Sequence, residues 1–369
     1  MRITLVIFLL SFAVLLSTGA PAADFGAEYM QDFLYNIDGG LERGGGAPGV
    51  ANFNAAFENG DDLFYTDVLG TFGGSISDQV GDLQGVSNIS AYNTLKLYEA
   101  WYQHSFGASG VSVRLGLQDY AALFNMLDPA QLFLNSSFGT DPTVAQVAPS
   151  IFPVTTLGAV ARWESPRGLY AMGGVFDGVS GRPGHPAGTQ IALASGDGAF
   201  SAVELGITGT GERTYKLAAG GWYRSTDFVD PAGRRRDGNS GIYAIGSMQI
   251  AGDAGAPGAS LFLQVGQARH ERNAVKGYIG GGVTITGLVD GRPHDRLGIG
   301  VASAQVSDAF QRGMAATATG ETAIELTYMA MLSDRFYVQP DVQYIIHPGA
   351  SDRIDNAVVV GLRVAYSWP

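Results

Sequence analysis

Hydrophobic and polar positions alternate along most of this chain. Val111, Val113, Leu115 and Leu117 interleave with Ser112, Arg114, Gly116 and Gln118, the period of two expected of a strand with one apolar face. Val338, Pro340, Val342 and Tyr344 interleave in the same way with Gln339, Asp341 and Gln343. Val358, Val360, Leu362, Val364, Tyr366 and Trp368 interleave with Val359, Gly361, Arg363, Ala365 and Ser367. A sustained 3.6-residue period is almost absent. Sixteen strands account for the pattern, starting near Phe25, Val50, Phe64, Lys96, Val111, Leu157, Tyr170, Ala199, Tyr215, Ser240, Ala259, Lys276, Arg296, Glu321, Phe336 and Ala357.

The connections sort themselves. Taken alternately, one set is short, roughly three to eight residues, and the other is usually longer, reaching about 37. A soluble β-sandwich has no reason to sort its loops in this way. A membrane barrel does, because short periplasmic turns lie at one end and long extracellular loops at the other. The sequence therefore predicts an all-β fold, a transmembrane antiparallel β-barrel of about sixteen strands with both ends of the chain on the periplasmic side. A soluble multi-domain β protein is the competing arrangement. The barrel's lipid face should carry aromatic girdles, for which Tyr98, Tyr102, Tyr328, Tyr344, Tyr366 and Trp368 have the right parity. Gly280, Gly281 and Gly282 read as a bend or a close backbone approach within a strand.

The first residues supply the compartment. Arg2, the apolar run Ile3 to Leu16, and the small-residue end Ser17-Thr18-Gly19-Ala20-Pro21-Ala22 have the form of a secretory signal peptide. Residues 1–22 are expected to be removed, leaving 23–369 as the barrel. No later stretch approaches the ~20 apolar residues of a membrane helix. Composition then narrows the chemistry. There are 53 glycines among 369 residues, only 15% charged residues, and 22 basic against 34 acidic side chains for a formal charge of −12. An acidic chain without a basic stretch is a poor match to phosphate backbones, so no nucleic-acid partner is expected. With no cysteine and five scattered histidines, no metal site and no cofactor are expected. Outer-membrane hydrolases need a serine or carboxylate within reach of a histidine. His104 and Ser105 are neighbours in a strand and point to opposite faces, so the chain does not read as an enzyme. Arg234, Arg235 and Arg236 fall in a predicted extracellular loop, as a solvated charge run or a contact for lipid phosphates.

Several stretches together carry a resemblance. They are Gly81-Asp82-Leu83-Gln84-Gly85-Val86-Ser87-Asn88-Ile89, Leu97-Tyr98-Glu99-Ala100-Trp101-Tyr102, Leu134-Asn135-Ser136-Ser137-Phe138-Gly139, Tyr215-Lys216-Leu217 with Gly221-Trp222-Tyr223, Gly291-Arg292-Pro293 with Asp295-Arg296-Leu297-Gly298, and Gln339-Pro340-Asp341-Val342-Gln343-Tyr344 ahead of His347-Pro348-Gly349. In this order they resemble the carbohydrate-selective porins of the OprB family. The resemblance implies a sixteen-stranded bacterial outer-membrane channel that passes sugars by facilitated diffusion. Its solutes would be sugars, and its surroundings the outer-membrane lipid, lipopolysaccharide and the barrel-assembly machinery. A homo-oligomer is compatible with it. The alternatives are a non-specific porin, a plugged or adhesive barrel, and, more remotely, a barrel hydrolase.

A sixteen-stranded barrel is too wide for side chains to fill and leaves an aqueous channel. Selectivity then needs something inside it. The two longest early connections, Ser75 to Leu95 and Tyr120 to Thr156, exceed the length at which loops are usually passive, and are expected to fold inward and narrow the pore. Strand parity nominates the lumen-facing residues Glu99, Trp101, Arg114, Arg162, Lys216, Trp222, Arg224, Glu325, Asp341 and Arg363. Asn135 and Ser136 of the longest loop join them. Mixed charges would bond sugar hydroxyls, and tryptophan would offer a flat apolar surface to a sugar ring.

Overall fold

The computed structural model describes residues 22–180, 188–189, 191–194, 196–252, 257–314 and 317–368. The leader proposed from the sequence lies outside them, apart from Ala22, which begins the first strand. Strand β1 (Ala22–Gly40) pairs with β2, which runs in two pieces, Gly44–Gly46 and Gly49–Asn59. There follow β3 (Asp62–Phe72), β4 (Thr94–Ser105), β5 (Val111–Gln118), β6 (Thr156–Glu164), β7 (Leu169–Asp177), β8 (Ala199–Thr210), β9 (Thr214–Val229) and β10 (Arg235–Ala251). The remainder are β11 (Gly258–Ala268), β12 (Val275–Thr286), β13 (Arg296–Val306), β14 (Gly320–Ser333), β15 (Phe336–Ile346) and β16 (Asp355–Trp368). Each pairs antiparallel with its neighbours in sequence, and β16 returns to β1 from Ala27↔Trp368 to Gly40↔Asp355, so the sheet closes into a sixteen-stranded barrel without an edge. Every strand starts within six residues of its predicted position. No helix among the described residues is long and apolar enough to cross a membrane.

Alternation puts Phe33, Phe53, Val203, Leu205, Leu217, Ile242 and Ile299 on the outer wall, exposed. Their strand neighbours face inward. One girdle assignment is corrected here. Between Asp67↔Glu99 and Val68↔Leu97 the β3–β4 ladder takes up an extra residue, Tyr98. This bulge reverses the parity at the extracellular end of β4, so Tyr98 is buried and its hydroxyl bonds to Asp119 at the start of the long loop.

The longer of the two inward loops leaves the wall between two short strands. β5 and β6 have 8 and 9 residues, against 17 in β10, so the chain between them leaves the wall early and turns into the lumen. There Tyr120, Phe124, Leu127, Phe133, Leu134, Phe138 and Val144 of segment 119–155 are fully buried. They pack with Phe176, Phe200 and Phe262 of the wall into one apolar core inside the barrel. The wall gives way to them: at Gly300 a Cβ would stand 2.8 Å from both Phe133 and Phe138, and at Gly266 it would collide with Asp141. Gly280 and Gly282 likewise make room for the rings of Tyr278 and Phe262.

Candidate channel and its lining

The two inward loops hold each other before they hold the wall. The Asn88 N–H donates to the Leu134 carbonyl at 2.7 Å, and the Ser136 N–H to that of Gly85 at 2.9 Å. The Asn88 side chain donates to the Phe133 carbonyl at 3.1 Å. Segment 73–93 is then clasped at the barrel seam, where Asp32 of β1 and Arg363 of β16 face each other in register. The pair is bidentate, at 2.7 and 2.9 Å, and both groups are buried. Ser87 donates to Asp32 at 2.7 Å and Arg363 to Asn88 Oδ1 at 2.7 Å, which gives each member of the pair one further bond.

Buried carboxylates on the wall take up the loops' backbone N–H groups. Glu325 of β14 accepts from Leu134 at 2.6 Å and Asn135 at 3.0 Å. Across the lumen Glu204 of β8 accepts from the Asn125 N–H at 2.8 Å and from the hydroxyls of Tyr170 and Tyr243, each at 2.7 Å. Glu321 accepts from Leu83 at 2.7 Å, Gln84 at 3.1 Å and Gly349 at 2.8 Å. Carbonyls are met as well: Gln339 donates to Leu132 at 2.7 Å, Gln343 to Val86 at 2.9 Å, Lys216 to Met126 at 2.8 Å and Arg224 to Val147 at 2.7 Å. Asp341 bonds to Gln343 and to Glu325. Buried loop backbone must find such partners, and here the wall supplies them.

The opposite stretch of wall, β3 to β6, is less covered. Trp101 of β4 stacks on Tyr65 of β3 with centroids 5.0 Å apart, and the Arg114 guanidinium lies 3.7 Å above its ring. Arg114 also sends Nε and Nη2 to Gln103 Oε1 at 3.1 and 3.0 Å. Glu99 takes the Asp119 N–H at 2.8 Å, and Asn52 donates to Asp67 at 2.6 Å. Arg162 pairs with Glu164 at 2.7 Å and stands 4.3 Å over the Tyr170 ring. This side offers partly exposed charges of both signs.

Two loop carboxylates feel their surroundings. Asp141 caps the short helix Pro142–Ala145 through the Thr143 N–H, and burial pushes its carboxyl up to about 6 although the bonds from Thr143 oppose the rise. Asp230 pays a desolvation cost, but the Arg234 N–H and then the Arg236 and Arg234 side chains hold it at about 2. The arginine run is therefore committed to ion pairs: Arg234 and Arg236 to Asp230, each at 2.9 Å, and Arg235, the first residue of β10, to Asp227 at 2.9 Å.

All ten strand residues nominated by parity face inward, but they divide. Glu99, Arg114, Arg162, Lys216 and Arg224 keep partial exposure. Glu325, Asp341, Arg363 and Asn135 are buried in the fastening of the loops. Asn135 Oδ1 accepts from the Ser137 N–H and its amide donates to Gln343 at 3.1 Å, while Ser136 begins the one-turn helix Ser136–Gly139 that Asn135 caps. Neither tryptophan offers a free face: Trp101 lies between Tyr65 and Arg114, and Trp222 is buried beside Phe200. Glu204, Glu321, Tyr65, Asp67 and Gln103 were not nominated. Parity was the available signal: Glu204, fully buried, sits between Val203 and Leu205, 61% and 66% exposed.

Among the described residues no group of histidines and carboxylates could hold a metal ion. Comparison with known proteins agrees with a channel. Over 151 residues the chain is 29% identical to Porin B of Pseudomonas aeruginosa, covering 36% of this chain and about a third (33%) of that protein's length. The high-pH structure of Pseudomonas putida OprB superimposes with a TM-score of 0.85 at 20% identity, over 97% of this chain and 96% of that one. The outer-membrane channel DcaP of Acinetobacter baumannii shares the fold with a TM-score of 0.61 at 10% identity, over 95% and 99% of the two chains. Residues 61–367 match the family model described as carbohydrate-selective porin, OprB family, and the chain belongs to that family.

Proposed function

We propose that the protein is an outer-membrane diffusion channel for mono- and small oligosaccharides, exported by a cleaved leader, residues 1–22. The observation that carries this reading is a closed barrel whose lumen is narrowed by two inward loops, in a chain of the carbohydrate-selective porin family. The solute passes between segment 119–155 and the β3–β6 wall. Arg114 and Glu99, with Arg162 and Lys216 further round, present donors and acceptors to its hydroxyls. Arg114 is held flat on Trp101, so its orientation is set before a solute arrives, which lowers the entropy lost on contact. Trp101 thus serves as the platform for Arg114 more than as a stacking surface. Weak contacts spread along a wall favour entry without trapping. Outer-membrane lipid, lipopolysaccharide and the assembly machinery are the surroundings this reading implies, and a homo-oligomer is compatible with it. Liposome swelling with sugars, amino acids and salts of matched size tests the reading: faster entry of sugars is expected, and equal rates for all classes would reduce the protein to a non-specific pore.

A further inference from the structure

We infer that Glu204, Glu321 and Glu325 are positioning residues of the channel: buried wall carboxylates whose hydrogen bonds to loop backbone fix where the two inward loops stand, and hence the width of the passage, without touching the solute. The inference rests on the channel reading above and assigns what sets the channel's width.

The geometry is the same three times. Each carboxylate is fully buried on an inward strand position, and each accepts backbone N–H groups of segments 73–93 or 119–155. Glu204 and Glu325 lie on different sides of the lumen, on β8 and β14, and meet the long loop at Asn125 and at Leu134–Asn135. These contacts bracket the 3-10 turn Asp128–Leu132, which rests against β11 and β12. Glu321 fixes the other loop at Leu83 and Gln84, and the loops are joined at Asn88–Leu134. A shift of one loop therefore carries the other with it. Because the bonds end on main-chain N–H groups, loop side chains can vary without loss of position. The groups packed around these carboxylates are fixed too: Tyr170, Tyr243 and, at 3.8 Å, Lys216 at Glu204; Asp341 and Asn135 at Glu325; Asp82 and Gln84 at Glu321.

Glutamine has the shape of glutamate but one acceptor oxygen, and at Glu325 and Glu321, where both carboxylate oxygens accept backbone N–H groups, its NH2 would point at one that needs an acceptor. Glu325→Gln and Glu321→Gln therefore test position without opening a cavity. In planar bilayers each variant should conduct roughly twofold or more over the unaltered channel, with noisier current, since a released loop widens the passage. Asn239→Ala serves as the structural control: it removes a buried pair with Asn273 whose other bonds go to Ser240 and Arg269 and to neither loop, and should lower heat resistance while leaving conductance unchanged. Folded Glu325→Gln and Glu321→Gln channels with unaltered conductance would overturn the inference, as would an Asn239→Ala channel that widens equally. Should the glutamine variants not fold, hydrogen exchange on the unaltered protein decides: the amides of Asn125, Leu134 and Asn135 should exchange as slowly as strand amides, and rapid exchange would overturn it. Sugar block of the unaltered channel is recorded alongside. Its absence would count against the carbohydrate reading and would not bear on the conductance comparison.

Discussion

The two sides of the lumen draw on the same residue types and use them differently. From β8 round to β16, Glu204, Glu321, Glu325 and Arg363 are buried against loop backbone and loop side chains. From β3 to β6, Arg114, Glu99 and Arg162 keep partial exposure; Arg114 and Arg162 bond to Gln103 and Glu164 of the wall, and Glu99 takes one N–H at the start of the long loop. What separates the sides is the course of segment 119–155. Where it lies against the wall, its N–H and carbonyl groups lose water and take whichever charged or amide side chain the alternation presents. Where it does not, the same kinds of side chain stay partly exposed in the lumen. A charge on an inward position thus has no fixed role until the loop is placed.

The comparison predicts unequal costs of substitution. Arg363→Ala or Asp32→Ala leaves one member of a buried bidentate pair uncompensated at the seam, and should cost about 3–5 kcal/mol in a denaturant titration of the folded barrel. A cost under ~1 kcal/mol would show that water reaches the pair. Gly300→Val drives a side chain into Phe133 and Phe138 and should cost about 1–3 kcal/mol by overpacking. Unchanged stability there would mean that the loop does not rest on β13. Arg114→Ala, on the open side, gives up a cation–π contact worth roughly 0.5–1 kcal/mol, yet it should visibly change ion preference and sugar-dependent block.

Acid sharpens the same contrast within the loop. The Asp141 carboxyl is raised to about 6 when folded, above its ordinary value, so its charge opposes folding above pH 6 and the penalty fades as pH falls toward 4. Asp141→Asn keeps a capping side chain without the charge. It should raise stability slightly at pH 8 and leave it unchanged or lower at pH 4, as read by thermal melts at both pH values. Equal effects at the two pH values would show that Asp141 is hydrated. The smallest perturbation probes orientation. Single cysteines at Ala232, in the β9–β10 connection, and at Ser333, the last residue of β14, lie at opposite ends of the barrel and should label oppositely with an impermeant reagent on whole cells. Equal labelling of both would overturn the orientation.

The barrel was legible because alternation and sorted loop lengths are local properties of the sequence, and all sixteen strands and the inward parity of ten lumen residues follow from them. The roles were less legible. Glu325 and Arg363 look like free lumen charges until the loop and the seam bring Leu134 and Asp32 to them from far along the chain. Tyr98 was misplaced because a single bulge reverses parity, and nothing in its neighbours announces the extra residue. Trp101 looked like a stacking platform for sugar because the sequence does not reveal that Tyr65 and Arg114 flank it. Glu204 was readable by the rule that found Glu325, as an acid between two outward apolar residues.

The most direct test of the account is the conductance of a barrel from which most of Tyr120 to Thr156 has been removed, recorded with and without sugar. With segment 119–155 gone, ion conductance should rise severalfold, as the lumen of a sixteen-stranded barrel opens, and the preference for sugars over other solutes of equal size should fall. A deletion that folds normally yet keeps both the conductance and the solute preference of the intact channel would contradict it, because the passage would then be narrowed by something other than this loop.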